Sequence, residues 1–152
     1  MRTLYLVAFL LLGACAYAQS GSAKQVGWTT AVRKLSANVY EVRMTATING
    51  DYHMYAQVAG VEGPVPTLFS FNPNPLLTLN GKVKESGKLI QKFEEAWEGK
   101  VNYFEKKVDF IQQVTVKGKA KTALAGKVEF MVCNDEQCLP PSEYSFRVAL
   151  GG

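Results

Sequence analysis

Period-two alternation of apolar and polar residues runs through most of this chain and restricts its fold more than any other feature. From Asn38 to Ile48, Tyr40, Val42, Met44, Ala46 and Ile48 fall on one side and Glu41, Arg43, Thr45 and Thr47 on the other. That pattern describes a strand with one face buried. Residues 26–35 read as a first strand, with Trp28, Thr30 and Val32 on one face. Val108, Phe110, Val114 and Val116 line a long strand that ends at the Lys117-Gly118-Lys119 turn. Val128, Phe130 and Val132 alternate with Glu129 and Met131, and Tyr144, Phe146, Val148 and Leu150 share a face opposite Ser145 and Arg147. Shorter runs, Tyr52–Tyr55, Thr67–Phe71 and Leu76–Leu79, are set off by Asn49-Gly50-Asp51, by the Gly60–Pro66 loop and by Asn72-Pro73-Asn74-Pro75, all turn signals. Lys88 to Glu98, with Phe93 and Trp97 four residues apart, is expected to form a helical turn or an irregular loop. Seven to nine short strands with regular turns imply an all-β chain, an immunoglobulin-like β-sandwich.

The first 18 residues have the make-up of a signal peptide. Arg2 supplies a minimal positive region, Leu4 to Leu12 an apolar run too short for a convincing membrane span, and Ala16-Tyr17-Ala18 a small-x-small cleavage site. Leu12-Gly13-Ala14-Cys15 also resembles a bacterial lipobox, in which case Cys15 becomes an acylated, membrane-anchored N-terminus. The intact Ala-x-Ala site favours cleavage after Ala18. Both readings take the protein out of the cytosol. Cleavage after Ala18 leaves one domain, residues 19–152, long enough for a real hydrophobic core. Its formal charge falls from +4 to +3 with the loss of Arg2. The lysines between Lys82 and Lys121 are interleaved with Glu85, Glu94, Glu95, Glu98, Glu105 and Asp109, a solvated surface and not a nucleic-acid patch. No phosphate loop, Ser-His-Asp arrangement or paired-carboxylate site stands out, and no cofactor is indicated.

The chemistry concentrates in Cys133-Asn134-Asp135-Glu136-Gln137-Cys138-Leu139-Pro140-Pro141. Asn134 to Gln137 read as a hairpin tip. A cysteine on either side then sits opposite the other, at a cross-strand Cα distance of about 4.5–5.5 Å that a disulfide accepts. Without Cys15 these two are the only cysteines left, and an even pair in an exported chain is open to oxidation. Closing a six-residue ring removes only about 2 kcal/mol of chain entropy. A domain with its own core has little need of that, so the pair is either a structural staple or a redox site. Zinc wants about four ligands, and only His53 remains beyond the two cysteines; His53 itself reads as a strand residue.

This stretch resembles the redox hairpin in the N-terminal periplasmic domain of the thiol:disulfide interchange protein DsbD, where a hairpin cysteine pair is followed by an aromatic or aliphatic residue and two prolines. Here those are Cys138-Leu139-Pro140-Pro141. Tyr52-His53-Met54-Tyr55 resembles the family's Tyr-rich strand near the cysteines, and Ala96-Trp97-Glu98-Gly99-Lys100 its cap loop. The resemblance covers roughly Gln25 to Leu150. It implies an immunoglobulin-like fold, with Cys138 as attacking thiol and Cys133 as resolving thiol. It also implies electrons from a thioredoxin-like or membrane-embedded partner, passed on to periplasmic disulfide proteins. Phe93 to Lys100, with Trp97 as the covering side chain and Glu95 beside it, is then expected to cap the pair, with Tyr52 and Tyr55 as neighbours; the ordinary alternative places Tyr52, Tyr55 and Trp97 in the core. Four residues separate the cysteines where the best-known members have five. Trp97 stands where their cap carries Phe, and Glu95 and Ala96 replace an acidic pair. Membrane helices and a thioredoxin-like domain are missing from the sequence up to Gly152, so the expectation is a standalone exchange module with a separate electron donor. The alternative is an immunoglobulin-like binding module with a purely structural disulfide; a reduction potential separates the two.

Overall fold

The computed structural model describes residues 21–151. The signal-peptide and lipobox readings, Cys15 included, lie outside the described residues. Among those described, eleven strands form three sheets. The first sheet has the order β1 (Val26–Lys34), β2 (Val39–Ile48), β8 (Lys107–Val116) and β5 (Leu77–Gly87). The second runs β11 (Ser142–Leu150), β9 (Thr122–Phe130) and β4 (Leu68–Phe71). The third runs β10 (Val132–Cys133), β3 (His53–Tyr55), β7 (Gly99–Glu105) and β6 (Ile90–Glu94). All the pairings are antiparallel.

One hydrophobic core joins the three sheets into an immunoglobulin-like sandwich. The first sheet contributes the alternating residues of β2, Tyr40 to Ile48, with Val108, Phe110, Val114 and Val116 of β8. Facing them are Leu124, Val128 and Phe130 of β9, Phe146, Val148 and Leu150 of β11, and Met54, Phe104 and Val132 of the third sheet. Trp28 of β1 stacks on Tyr144 at 5.4 Å and closes one end. Val26 also enters the core, and from Thr29 onward β1 is an exposed edge.

Three elements depart from expectation. Lys88 to Glu98 forms the expected helical turn only at Glu95–Trp97, a short 3₁₀ turn; Ile90–Glu94 before it is strand β6, and Glu98 in the left-handed conformation (φ 50°) turns the chain into β7. Leu77–Leu79 continues as β5 to Gly87, with a register shift between Asn80 and Lys84. The strand expected over residues 127–132 breaks at Met131. β9 stays paired with β11, while Val132 and Cys133 cross to pair with Met54 and His53 of β3. That switch of sheets takes the cysteine hairpin out of the β9–β11 ribbon and lays it on the third sheet.

The third sheet carries a hydrophobic cluster on each face. Met54, Phe104 and Val132 enter the main core, whereas Cys133, Tyr55, Val101 and Tyr103 form a second cluster on the opposite side. Ala59, Val61 and Val65, from the loop after β3, and Trp97 cover that cluster. The loop is tied down where the Asn102 amide donates to the Ala59 carbonyl (2.7 Å) and the Thr67 hydroxyl to the Tyr55 carbonyl (2.6 Å). Gly63 has φ +122°, and a Cβ there meets the Trp97 ring at 2.4 Å, so only glycine lets the indole lie this close.

Candidate functional site

Cys133 and Cys138 form a disulfide with an S–S distance of 2.04 Å and Cα atoms 4.0 Å apart, nearer than the expected cross-strand spacing. The four residues between them make a tight turn. The Asn134 amide donates to the Gln137 carbonyl (2.9 Å), and the Asn134 side-chain carbonyl accepts from the Glu136 and Gln137 amides (3.1 and 2.9 Å). This Asx turn is the reason a polar asparagine heads the tip. Leu139 returns to the sheet, its amide donating to the Val132 carbonyl at 3.0 Å.

The neighbouring β2–β3 turn grips the tip from the side. The Asn134 side-chain amide donates to Asp51 (3.2 Å) and the Gln137 side-chain amide to the Tyr52 hydroxyl (3.1 Å). The base of the hairpin is pinned by Ser22, which is fully buried. Its Oγ accepts from the Val132 amide at 3.0 Å and donates to the Pro140 carbonyl at 3.0 Å, bridging the two arms. Ser22 carries no sequence signal of this role, because its partners lie more than a hundred residues away.

The two sulfurs differ in access. Cys133 is 2% exposed, inside the second cluster with Tyr55 and Tyr103, while Cys138 is exposed at the surface. A thiol arriving from solvent therefore meets Cys138 first.

The expected cap and neighbouring residues separate into three groups. Trp97 lies against Tyr55 and Gly63, and its indole N–H donates to the Tyr55 hydroxyl at 2.9 Å. Trp97, Tyr55 and Cys133 thus share one buried cluster. Tyr52 holds the hairpin tip. Phe93, 58% exposed, and Glu95, also exposed, point to solvent. β6 stands on the far edge of the sheet from β10, about 14 Å away at ordinary strand spacing.

Two further residues adjoin the site: His53, which the sequence reads as a strand residue and which does lie in β3, and Glu94, to which the sequence gives no role. His53 is the cross-strand partner of Cys133, 7% exposed, and stacked on Tyr103 with ring centroids 4.2 Å apart. Its Nε2 has no hydrogen-bond partner among the described residues and lies 3.8 Å from a carboxylate oxygen of Glu94. Both residues line a polar cavity of 290 Å³ beside the hairpin, with Asp51, Lys92, Glu105 and Asp135 among its other walls. Burial pushes the His53 pKa down, with Glu105 and Asp135 opposing that shift and Lys92 adding to it. Burial pushes Glu94 up, while Lys92 and a hydrogen bond from Tyr55 pull it down. Burial takes the Tyr55 phenol to about 12, so it stays a hydrogen-bond donor. A lone histidine in an aromatic strand gave no cue; the pairing of β10 with β3 makes it a neighbour of the disulfide.

Comparison with known proteins assigns residues 24–150 to the family described as thiol:disulfide interchange protein DsbD, N-terminal. Among solved structures, the N-terminal domain of DsbD from Neisseria meningitidis in the reduced form is similar at a TM-score of 0.54 and 19% identity, over 85% of this chain and 88% of that one. The N-terminal periplasmic domain of ScsB from Proteus mirabilis is similar at a TM-score of 0.58 and 13% identity, over 85% of this chain. Only 51% of that ScsB chain is covered, so this chain spans about half its length. No curated protein matches the sequence.

Proposed function

Since the chain belongs to the family of DsbD N-terminal thiol:disulfide interchange domains, we propose that it is an exported exchange module whose working group is a reversible Cys133–Cys138 disulfide. The observation that carries this reading is the asymmetry of the bond, with exposed Cys138 joined to buried Cys133. A purely structural clip gains nothing from presenting one sulfur to solvent, whereas exchange requires it, since attack demands access to sulfur.

In the charging direction, a donor's thiolate attacks Cys138 Sγ. The Cys133–Cys138 bond breaks, Cys133 leaves with the electron pair and takes up a proton, and a mixed disulfide joins Cys138 to the donor. The donor's second thiolate then attacks its own sulfur in that bond. It leaves oxidised by two electrons, and both cysteines here are reduced. Discharge runs the same steps backwards on an oxidised acceptor. The chemistry fits a thioredoxin-like or membrane-embedded dithiol as donor and periplasmic disulfide proteins as acceptors.

Equilibration against glutathione or dithiothreitol redox buffers tests this. The expected result is a potential above about −300 mV, with Cys133→Ser trapping a mixed disulfide through Cys138. A potential below that value, the range of structural disulfides, overturns the proposal in favour of the clip.

A further inference from the structure

Cys133 occupies a poor place for a thiolate. Its cluster is built of Tyr55, Tyr103, Val101, Ala59 and Met131, all apolar or aromatic. A charge buried among apolar groups is costly unless it is paired. Yet exchange needs Cys133 as a thiolate when it resolves a mixed disulfide held by Cys138. A base beside it answers that requirement.

We propose that His53 is this base: it takes the proton from the Cys133 thiol as that sulfur attacks Cys138, and returns it when Cys133 leaves. The inference rests on the exchange reading above and adds a residue to it.

Three observations carry it. His53 and Cys133 are directly paired across β3 and β10, so their side chains share a face at adjacent positions. His53 is almost wholly buried, and its Nε2 has no hydrogen-bond partner among the described residues; a buried polar atom left so is costly and calls for a reason. Glu94 lies 3.8 Å from that nitrogen, close enough to stabilise an imidazolium once it forms. A neutral ring at rest, kept so by burial, is the form a base requires. The cavity that His53 and Glu94 line is polar and large enough for several water molecules, which opens a path for the proton to solvent. The groups facing His53 are Tyr55 on its own strand, Tyr103 and Glu105 on β7, Lys92 and Glu94 on β6, and Asp135 on the hairpin tip; Asp51 and Lys106 complete the cavity wall.

The step balances. In the mixed disulfide, Cys133 gives its proton to the imidazole, and its sulfur bonds to Cys138 Sγ. The partner's sulfur departs with the electron pair of the broken bond, and the imidazolium hands its proton back to solvent.

The reduced protein treated with excess 5,5′-dithiobis(2-nitrobenzoate) tests the inference. The first thionitrobenzoate is released in forming the adduct on Cys138. The second is released when Cys133 resolves that adduct, at a rate independent of reagent concentration. In the wild type this second phase is expected to level off near or below pH 6.5. His53→Gln should slow it about 10²-fold at that pH and leave it climbing towards the thiol's own ionisation, with the first phase unchanged. Glu94→Gln should move the plateau to lower pH. A His53→Gln protein whose second phase keeps the wild-type rate and profile overturns the role of His53 and leaves the exchange reading standing. If His53→Gln does not fold, an unmoved profile in Glu94→Gln overturns it instead. Absence of the second phase from the wild type overturns both readings.

Discussion

At the scale of single residues, the site depends on unequal burial of like groups. Cys133 and Cys138 are chemically identical and differ only in access. Once reduced, they are expected to react with iodoacetamide at rates at least about tenfold apart, because the buried thiol is screened from the reagent. Comparing Cys133→Ser, which keeps Cys138, with Cys138→Ser measures this directly; equal rates would remove the basis for an ordered exchange. His53 makes a second prediction. Its folded pKa lies below the unfolded value of about 6.5, so in acid the unfolded chain binds a proton that the folded one excludes. Its contribution to stability is therefore intact above pH 6.5 and declines as pH falls from there towards the folded pKa. Glu94, raised by burial, acts in the opposite sense and loses stability as it ionises above about 4.5. Urea unfolding of wild type and His53→Asn at pH 5 and pH 7.5 separates the two, since the variant should lose less stability on acidification. The cysteine pair was legible in the sequence because two cysteines around a polar tip have few alternatives. His53 and Ser22 were not, because each acquires its role from a pairing across the fold, β10 with β3 for one and residue 22 with residues 132 and 140 for the other.

At the scale of elements, legibility followed burial. β2, β8, β9 and β11 each bury one face in the main core, and their alternation announced them. β5 and β6 are edge strands exposed on most positions, so no period of two marked them. Lys88 to Glu98 consequently read as a helical turn or an irregular loop, and of these only the 3₁₀ turn at Glu95–Trp97 is present. That indole is now placed: it covers the second cluster by lying on Gly63 and Tyr55. Trp97→Ala is expected to cost about 2–3 kcal/mol, less than the 3–5 typical of a fully buried tryptophan, because Trp97 is only half-buried. Loosening the cluster also uncovers Cys133, so reduction by dithiothreitol should quicken as a second sulfur becomes open to attack. Gly63→Ala forces the ring aside and should reproduce both effects. In the double variant the costs should fall short of additive, since both act on one contact. Strict additivity in urea unfolding would show that Gly63 and Trp97 are not coupled.

At the scale of the whole molecule, two hydrophobic clusters share the third sheet but not the same duty. The main core draws on all three sheets and contains neither cysteine. The second cluster, which holds Cys133, is small and closed by one loop and one indole. A disulfide that opens and closes in service must not carry the fold with it, and this division meets that condition. The bond closes a ring of six residues, worth about 2 kcal/mol in chain entropy at most, and its arms are already held by Ser22, by the Val132–Leu139 hydrogen bond and by the pairing of β10 with β3. Cys133→Ser combined with Cys138→Ser is therefore expected to fold, to unfold in a single cooperative transition, and to lie within about 2–3 kcal/mol of the oxidised wild type. Reduced wild type should behave like the double variant. Amide exchange adds a local reading: protection should fall in residues 132–139 and the 57–66 loop on reduction, and stay unchanged in β2, β8 and β9. A double variant that cannot fold, or loss of protection throughout the main core, would make the disulfide a structural clip after all. Loss confined to the hairpin and its loop is what a module that cycles between two redox states requires, because its partner then meets a loosened hairpin on an unaltered scaffold.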